Sequence, residues 1–337
     1  MERSPAHRLL WTGFTGLDAV QVQPGFQPGG VVLFARNLDP HPVDGPARCH
    51  ALIRGLQERW GPLAVAVDQE GGAVSRLREW VGLTPGLRAA FEGGGAEACR
   101  RWGGLWGRGL RMLGFNVDFA PVADLYDPAP DSALGGRCAS ADPEETIAAA
   151  GAFLEGLEAQ GVRGCLKHFP GLGGTRLDSH VGLPETLDPG AIAANLAPFR
   201  ALAHADRLVM VAHLKVPRSQ GLPASLSAPC VAGNPWGVRA RWIPDDLQMG
   251  GAEGWSWEDK VRHCLLAGHE ALLVCQTPEA SLACAEAAAR MPETLWAPAA
   301  ARFRGLRRLL HCHAGPFQPD AWRAWVEEVR EEAGSIN

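Results

Sequence analysis

The densest chemistry in this chain lies where Lys167-His168-Phe169-Pro170-Gly171 runs into Leu172-Gly173-Gly174-Thr175-Arg176-Leu177-Asp178-Ser179-His180. A strand delivers a Lys and a His, a Pro and three Gly open a loop, and the loop carries an Asp-x-His pair. In an extended segment, residues two apart project to one side. Asp178 is therefore expected to reach the His180 ring, fix its tautomer and raise its basicity. Such a dyad suits general acid/base work near neutral pH, because an unperturbed imidazole titrates at ~6.5. The glycines let the loop close over a ligand. Gly-rich loops after strands also cradle phosphate, but neither Gly-x-Gly-x-x-Gly nor Gly-Lys-Ser/Thr is present here. An ordinary polar surface loop has the same composition.

Two further segments end apolar runs in carboxylates. Ala64-Val65-Ala66-Val67-Asp68-Gln69-Glu70-Gly71-Gly72 is followed by Arg76. A carboxylate at a strand end takes paired hydrogen bonds from vicinal hydroxyls, as sugar sites do; it equally caps a turn. Ile243-Pro244-Asp245-Asp246-Leu247-Gln248-Met249 sets an Asp at a strand end beside a second Asp. That position suits a nucleophile or a base, and paired Asp residues are also common in plain turns. Lys167, Lys215 and Lys260 are the only lysines, which singles out each one, because Arg does not replace a compact ammonium at every site.

Apolar, β-rich runs at 9–14, 31–34, 63–68, 117–124, 164–169, 208–213, 240–245 and 271–276 must position these groups. Helical patterns lie between most of them, at 46–60, 96–113, 143–160, 189–204, 257–267 and 278–290, with two more at 298–312 and 319–333. Alternating strands and helices imply parallel pairing through crossovers. Eight such strands predict an α/β fold, a single (β/α)₈ TIM-type barrel, with the C-terminal helices packed on its outside; an open doubly wound sheet is the other arrangement. Polar residues cluster where the strands end (Arg36, Asn37, Asp68, Asp124, Lys167, His168, His213, Asp245, Gln276), as at the C-terminal mouth of a barrel. Residues 1–290 are read as the barrel and 291–337 as a helical extension of the same domain. Gly93-Gly94-Gly95 reads as a helix end rather than a linker.

With 337 residues, 46% hydrophobic and 20% charged, the chain can bury a large core. A net charge of −5 argues against nucleic-acid binding by bulk charge. No apolar run reaches the ~18 residues of a membrane span, and Leu9–Phe14 is too short for a signal-peptide core. Nine scattered cysteines without a Cys-x-x-Cys pair read as free, mostly buried thiols in a reducing cytoplasm. His311-Cys312-His313 does not read as a metal site, since adjacent helical residues do not share a face. No cofactor, metal, nucleic acid or membrane partner is expected; a cytoplasmic monomer acting on a small ligand is.

Taken together, these motifs resemble the β-N-acetylglucosaminidases of glycoside hydrolase family 3, the NagZ type of peptidoglycan recycling. The resemblance rests on Gly29-Gly30-Val31-Val32-Leu33-Phe34-x-Arg36-Asn37, Val67 to Gly72, Asn116 to Asp124, and Gly136-Arg137 before Asp142-Pro143. It continues through Lys167 to Gly171, Asp178-Ser179-His180, Pro223-Ala224-Ser225-Leu226-Ser227 and Asp245-Asp246-Leu247-x-Met249. It covers about residues 9 to 290, in order. It implies a (β/α)₈ barrel and a retaining exo-hydrolase that releases terminal non-reducing β-linked N-acetylglucosamine. On this resemblance Asp245 matches the nucleophile, and His180, oriented by Asp178, matches the acid/base. Asp68, Arg76, Arg137, Lys167 and His168 match the residues that hold the sugar. A neutral acid/base also avoids a second anion beside the nucleophile.

Three departures from the family pattern stand out. The loop commonly reads Phe-Pro-Gly-His-Gly-Asp-Thr, whereas Leu172 and Gly174 replace its His and Asp here. Pro244 replaces a usual Ser or Thr before Asp245, and the segment between Pro229 and Arg241 is shorter and less typical. Altered loop closure and nucleophile placement are the expected consequences. A phosphorylase of the same family and a barrel that binds amino sugars without cleaving them are the alternatives.

Overall fold

In the computed structural model, residues 4–22, 24–129, 132–310 and 315–335 are described. The His311-Cys312-His313 run lies outside them. Eight strands form one all-parallel sheet: β1 (Leu10–Thr12), β2 (Gly30–Leu33), β3 (Ala64–Val67), β4 (Val117–Asp118), β5 (Arg163–Phe169), β6 (Leu208–Val211), β7 (Arg241–Pro244) and β8 (Leu272–Val274). Their spatial order is β8-β1-β2-β3-β4-β5-β6-β7, with β8 paired to β1 in the register Leu10↔Leu272 to Thr12↔Val274. The seam between β7 and β8 is drawn together by Glu270 N–H donating to Trp242 O at 2.8 Å and Leu247 N–H to Leu273 O at 2.9 Å. The sheet is thus a nearly closed barrel, and an open sheet does not describe it.

Six helices follow the strands: α1 (Gly45–Trp60), α2 (Leu87–Leu113), α3 (Pro143–Ala159), α4 (Pro189–Leu202), α5 (Trp257–Ala267) and α6 (Pro278–Arg290). The starts of several are set by side-chain caps. Asp142 accepts from Glu144 N at 2.7 Å, Asp188 from Gly190 N at 2.9 Å and Ser256 from Asp259 N at 3.1 Å, each pairing a donor that the first turn leaves open. Among the described residues, the β1–β2 and β6–β7 connections carry no α-helix.

Three boundaries differ from expectation. The fourth strand stops at Asp118, and Pro121, which lacks an N–H, lies just beyond it; the chain rejoins the sheet through a bridge from Val122 to Lys167. α2 begins at Leu87 rather than 96 and kinks at Gly94 and Gly95. The next helix, α7 (Glu293–Arg307), starts five residues early and contains Pro298, the residue whose usual place at a helix start set the expectation.

Alternation sorts the strand residues into two layers. Val31, Leu33, Val65 and Val67 pack outward on α1 and α2, while Val32, Ala64 and Ala66 point into the barrel with Cys165, Met210, Ile243 and Leu273. The last helix, α8 (Pro319–Ser335), closes the outside. Its Trp325 donates to Leu105 O at 2.8 Å, and its Trp322 meets Trp80 edge-on at 5.8 Å between centroids.

Candidate active site

The same alternation builds the site. Ala66 is followed two residues on by Asp68, Cys165 by Lys167 and Ile243 by Asp245, so each inward apolar residue hands over to an ionisable one at the mouth. The mouth holds a cavity of about 390 Å³ lined by Asp68, Glu70, Arg76, Arg137, Lys167, His168, His180 and Asp245, over an apolar floor of Val32, Met210 and Leu273. Seven of the eight residues singled out by sequence line it, and Asp178 joins them through the His180 ring.

On the β3–β5 side the groups are interlocked. Lys167 Nζ lies 3.1 Å from Asp68 Oδ1 and 2.5 Å from Glu70 Oε1. Arg137 grips Glu70 with two hydrogen bonds of 2.9 and 2.8 Å, a geometry that an ammonium cannot provide. Arg76 reaches Asp68 Oδ2 at 3.3 Å. Burial alone would raise the Glu70 carboxyl, but Lys167 and Arg137 outweigh it and bring its pKa to about 2. Burial likewise opposes ionisation of Asp68, and Lys167 and Arg76 more than offset it. Burial would discharge Lys167, yet Glu70 and Asp68 raise its pKa instead. The cluster is therefore fully ionised near neutral pH.

The Glu70 position depends on a tight hairpin, Gln69–Gly71 against Val74–Ser75. Its Gly71 has φ +84°, and a Cβ there would lie 2.3 Å from Pro85 O. Only glycine fits both the backbone conformation and the close approach. Gln69 Oε1 fastens the far end by accepting from Arg76 N at 2.9 Å and Leu77 N at 3.1 Å.

His168 is held by Asp124, whose Oδ2 lies 2.7 Å from its Nδ1 and 3.0 Å from its N–H. Asp124 Oδ1 accepts from Leu172 N at 2.7 Å, so one carboxylate anchors both the ring and the root of the loop. The Nδ1 contact leaves Nε2 of His168 as the ring atom open to the cavity.

On the opposite side, Asp178 Oδ1 lies 2.8 Å from His180 Nδ1 and accepts from His180 N at 2.9 Å. The expected pair is present, but the backbone reason differs. Residues 179–181 form a turn, with Val181 N and Gly182 N both donating to Asp178 O. The contact is an Asx-turn rather than a product of extended alternation. Burial raises the Asp178 carboxyl, but the hydrogen bonds from His180 lower it further.

Asp245 keeps its backbone anchor despite Pro244, since its N–H donates to Val211 O at 3.0 Å. Its Oδ1 accepts from Asp246 N at 2.8 Å. Asp246 turns away toward β8, accepting from Cys275 N at 3.2 Å and Gln276 Nε2 at 3.3 Å. Burial, then its neighbour Asp245, raises its pKa to about 6. The replaced loop residue Leu172 is buried and packs beside Phe169 and Phe199. Gly174 has φ +84°, with open space where a Cβ would stand.

Sequence reasoning passed over Glu70 and Asp124 as site residues. Both stand in the quoted motifs, but spacing does not reveal their contacts: Glu70 lines the cavity while pairing Lys167 and Arg137, and Asp124 holds His168 from outside it. A carboxylate and a carboxylate-backed imidazole on one polar cavity are groups suited to displacement at a glycosidic carbon.

Fold and cavity together define a parallel barrel with a cluster of ionisable groups at its C-terminal mouth. The profile of the glycosyl hydrolase family 3 N terminal domain matches residues 23–301; the chain belongs to this family and is a glycoside hydrolase. The beta-hexosaminidase of Pseudomonas aeruginosa is 33% identical over 290 residues, 79% of this chain and 81% of that one. A glycoside hydrolase family 3 beta-N-acetylglucosaminidase from Paenibacillus sp. superposes with a TM-score of 0.84 at 27% identity, over 99% of this chain and 69% of that one. NagZ from Neisseria gonorrhoeae, in complex with N-trifluoroacetyl-D-glucosamine, gives 0.79 at 26% identity, over 99% of both chains. Among the described residues no helix is long and apolar enough to cross a membrane.

Proposed function

We propose that this chain is a retaining exo-β-N-acetylglucosaminidase that removes terminal, non-reducing β-linked N-acetylglucosamine from peptidoglycan fragments in cell-wall recycling. The observation that carries this reading is the shared cavity: Asp245 and His180, the latter backed by Asp178, line one space with the ionised Asp68–Glu70–Lys167–Arg137 cluster. The bound complex of the Neisseria gonorrhoeae relative supports an amino sugar as the ligand, and the beta-hexosaminidase relative supports its cleavage.

In this reading Asp68, Lys167, Arg76, Arg137 and His168 hold the sugar hydroxyls. A carboxylate already fixed by two cations accepts from vicinal hydroxyls without first being ordered. Asp245 attacks the anomeric carbon and forms an ester while the glycosidic bond breaks. His180 gives its proton to the leaving oxygen, then removes one from the water that hydrolyses the ester. Asp178 keeps Nδ1 occupied, so Nε2 performs both transfers. The test is release of p-nitrophenol from the N-acetyl-β-glucosaminide against the β-glucoside, with Asp245→Asn as control. Preference for the N-acetyl substrate and its loss in the variant support the reading; equal rates on the glucoside contradict it.

A further inference from the structure

His213 lies two residues beyond strand β6 and is completely buried, yet it does not line the cavity. Its Nε2 lies 2.9 Å from the backbone oxygen of Asp246, and its Nδ1 lies 2.6 Å from Ser225 Oγ. A carbonyl only accepts, so Nε2 carries the hydrogen. In a neutral ring Nδ1 must then accept, and the Ser225 hydroxyl donates to it. Ser225 is itself fixed through its backbone: its N–H donates to Ala212 O at 3.1 Å and its carbonyl oxygen accepts from His269 Nε2 at 2.7 Å. Burial lowers the pKa of His213 and keeps the ring neutral.

The residue held by this ring is the one whose N–H rests on the Asp245 carboxylate, at 2.8 Å. The same turn continues to Gly250 and Gly251, which donate to His180 O at 3.1 Å and Ser179 O at 2.9 Å. Gly251 packs directly on His213, since a Cβ there would lie 2.6 Å from the His213 Cβ and 3.2 Å from Ser179 O. Asp245 turn, His180 loop and His213 ring therefore meet in one place.

We propose that His213 is a positioning residue: its Nε2–H, fixed as one tautomer by Ser225, holds the Asp245–Asp246 turn against the Asp178–His180 loop. The separation of carboxylate and imidazole is thereby set from beneath the site. This rests on the roles given above to Asp245 and His180. A displacement of about 1 Å at a reacting group costs on the order of 100-fold in rate, so loss of this bond should act on turnover rather than on sugar binding.

The test compares His213→Gln with His213→Asn. The Gln amide nitrogen reaches the place of Nε2 and can still donate to Asp246 O, whereas the Asn amide stops short. Expected for His213→Asn is a kcat on the aryl N-acetyl-β-glucosaminide lower by about 10- to 100-fold, with inhibition by free N-acetylglucosamine within about twofold of the parent. His213→Gln should recover to within about fivefold of the parent. Equal loss in both variants, with weakened sugar inhibition and a lowered melting temperature, would make His213 a packing residue and overturn the proposal; so would parent-like kcat in both. Should either variant fail to fold, nitrogen-15 spectra of the parent protein decide. A neutral Nε2–H ring at His213 from pH 5 to pH 8 supports the proposal, and an Nδ1–H or charged ring overturns it. Asp245→Asn, measured alongside, separates the two levels: parent-like turnover there removes the role of Asp245 itself, whatever His213 does.

Discussion

Glu70 and Lys167 are 7% and 2% exposed, while His180 and Asp178 on the facing loop are 62% and 52% exposed. The first pair sits on strand β5 and the hairpin after β3, and is locked by Asp68 and Arg137. The side chains of the second pair bind each other, and the loop backbone beneath them is held by Gly250 and Gly251. In the proposed function the contrast separates two tasks. Holding a sugar benefits from groups ordered in advance, because little freedom is then lost on binding. Meeting leaving groups of different shape, and later a water, benefits from a ring on a loop that can adjust.

The contrast breaks most visibly at the reacting groups. Asp245→Asn should lower turnover on the order of 10⁴-fold or more, read as steady-state p-nitrophenol release. His180→Ala should cost about 10²- to 10⁴-fold on a disaccharide but spare the glycosylation step for p-nitrophenolate, which needs no proton to leave. A stopped-flow burst that slows as much as disaccharide cleavage would deny His180 its leaving-group role. On the locked side, Glu70→Gln leaves Arg137 without its carboxylate partner and the buried Lys167 with Asp68 alone. Breaking such a pair costs about 3–5 kcal/mol, so denaturant unfolding should show a loss of that size, whereas Asp178→Asn on the exposed side should show little.

The smallest effect is a pH dependence. The Glu70 carboxyl lies at about 2 against an ordinary 4.5, so its folded value is depressed. Its contribution to stability is complete above about 4.5 and is lost as pH falls from there through about 2. Asp68 acts in the same direction. Unfolding free energy measured across this range should fall less steeply in Glu70→Gln than in the parent.

Much of this was legible in the sequence for a physical reason. Strand residues two apart share a face, so Ala66 predicts where Asp68 points and Cys165 where Lys167 points. The barrel followed from eight apolar runs separated by helical patterns, and the strand-end charges marked its mouth. Glu70 and Asp124 were hidden because they act through Lys167, Arg137 and His168, and spacing does not encode a contact between hairpin and barrel. The Asp178–His180 contact was foreseen for the wrong backbone reason: an extended segment and an Asx-turn both bring residues two apart together. Leu172 read as a change in loop closure; it packs in the core beside Phe169, and its N–H ties the loop root to Asp124. The replaced His left an anchor, not a gap.

That a late-strand carboxylate and a loop-borne imidazole serve one sugar is tested most directly by trapping the ester. The enzyme is incubated with a fluorinated N-acetylglucosaminyl donor that forms the intermediate quickly and hydrolyses slowly, then digested for mass spectrometry. One glycosyl unit on Asp245, persisting longer in His180→Ala because water is no longer activated, is the expected result. Inactivation with the label on any other side chain, or turnover of the donor with no labelled intermediate in either protein, would contradict it.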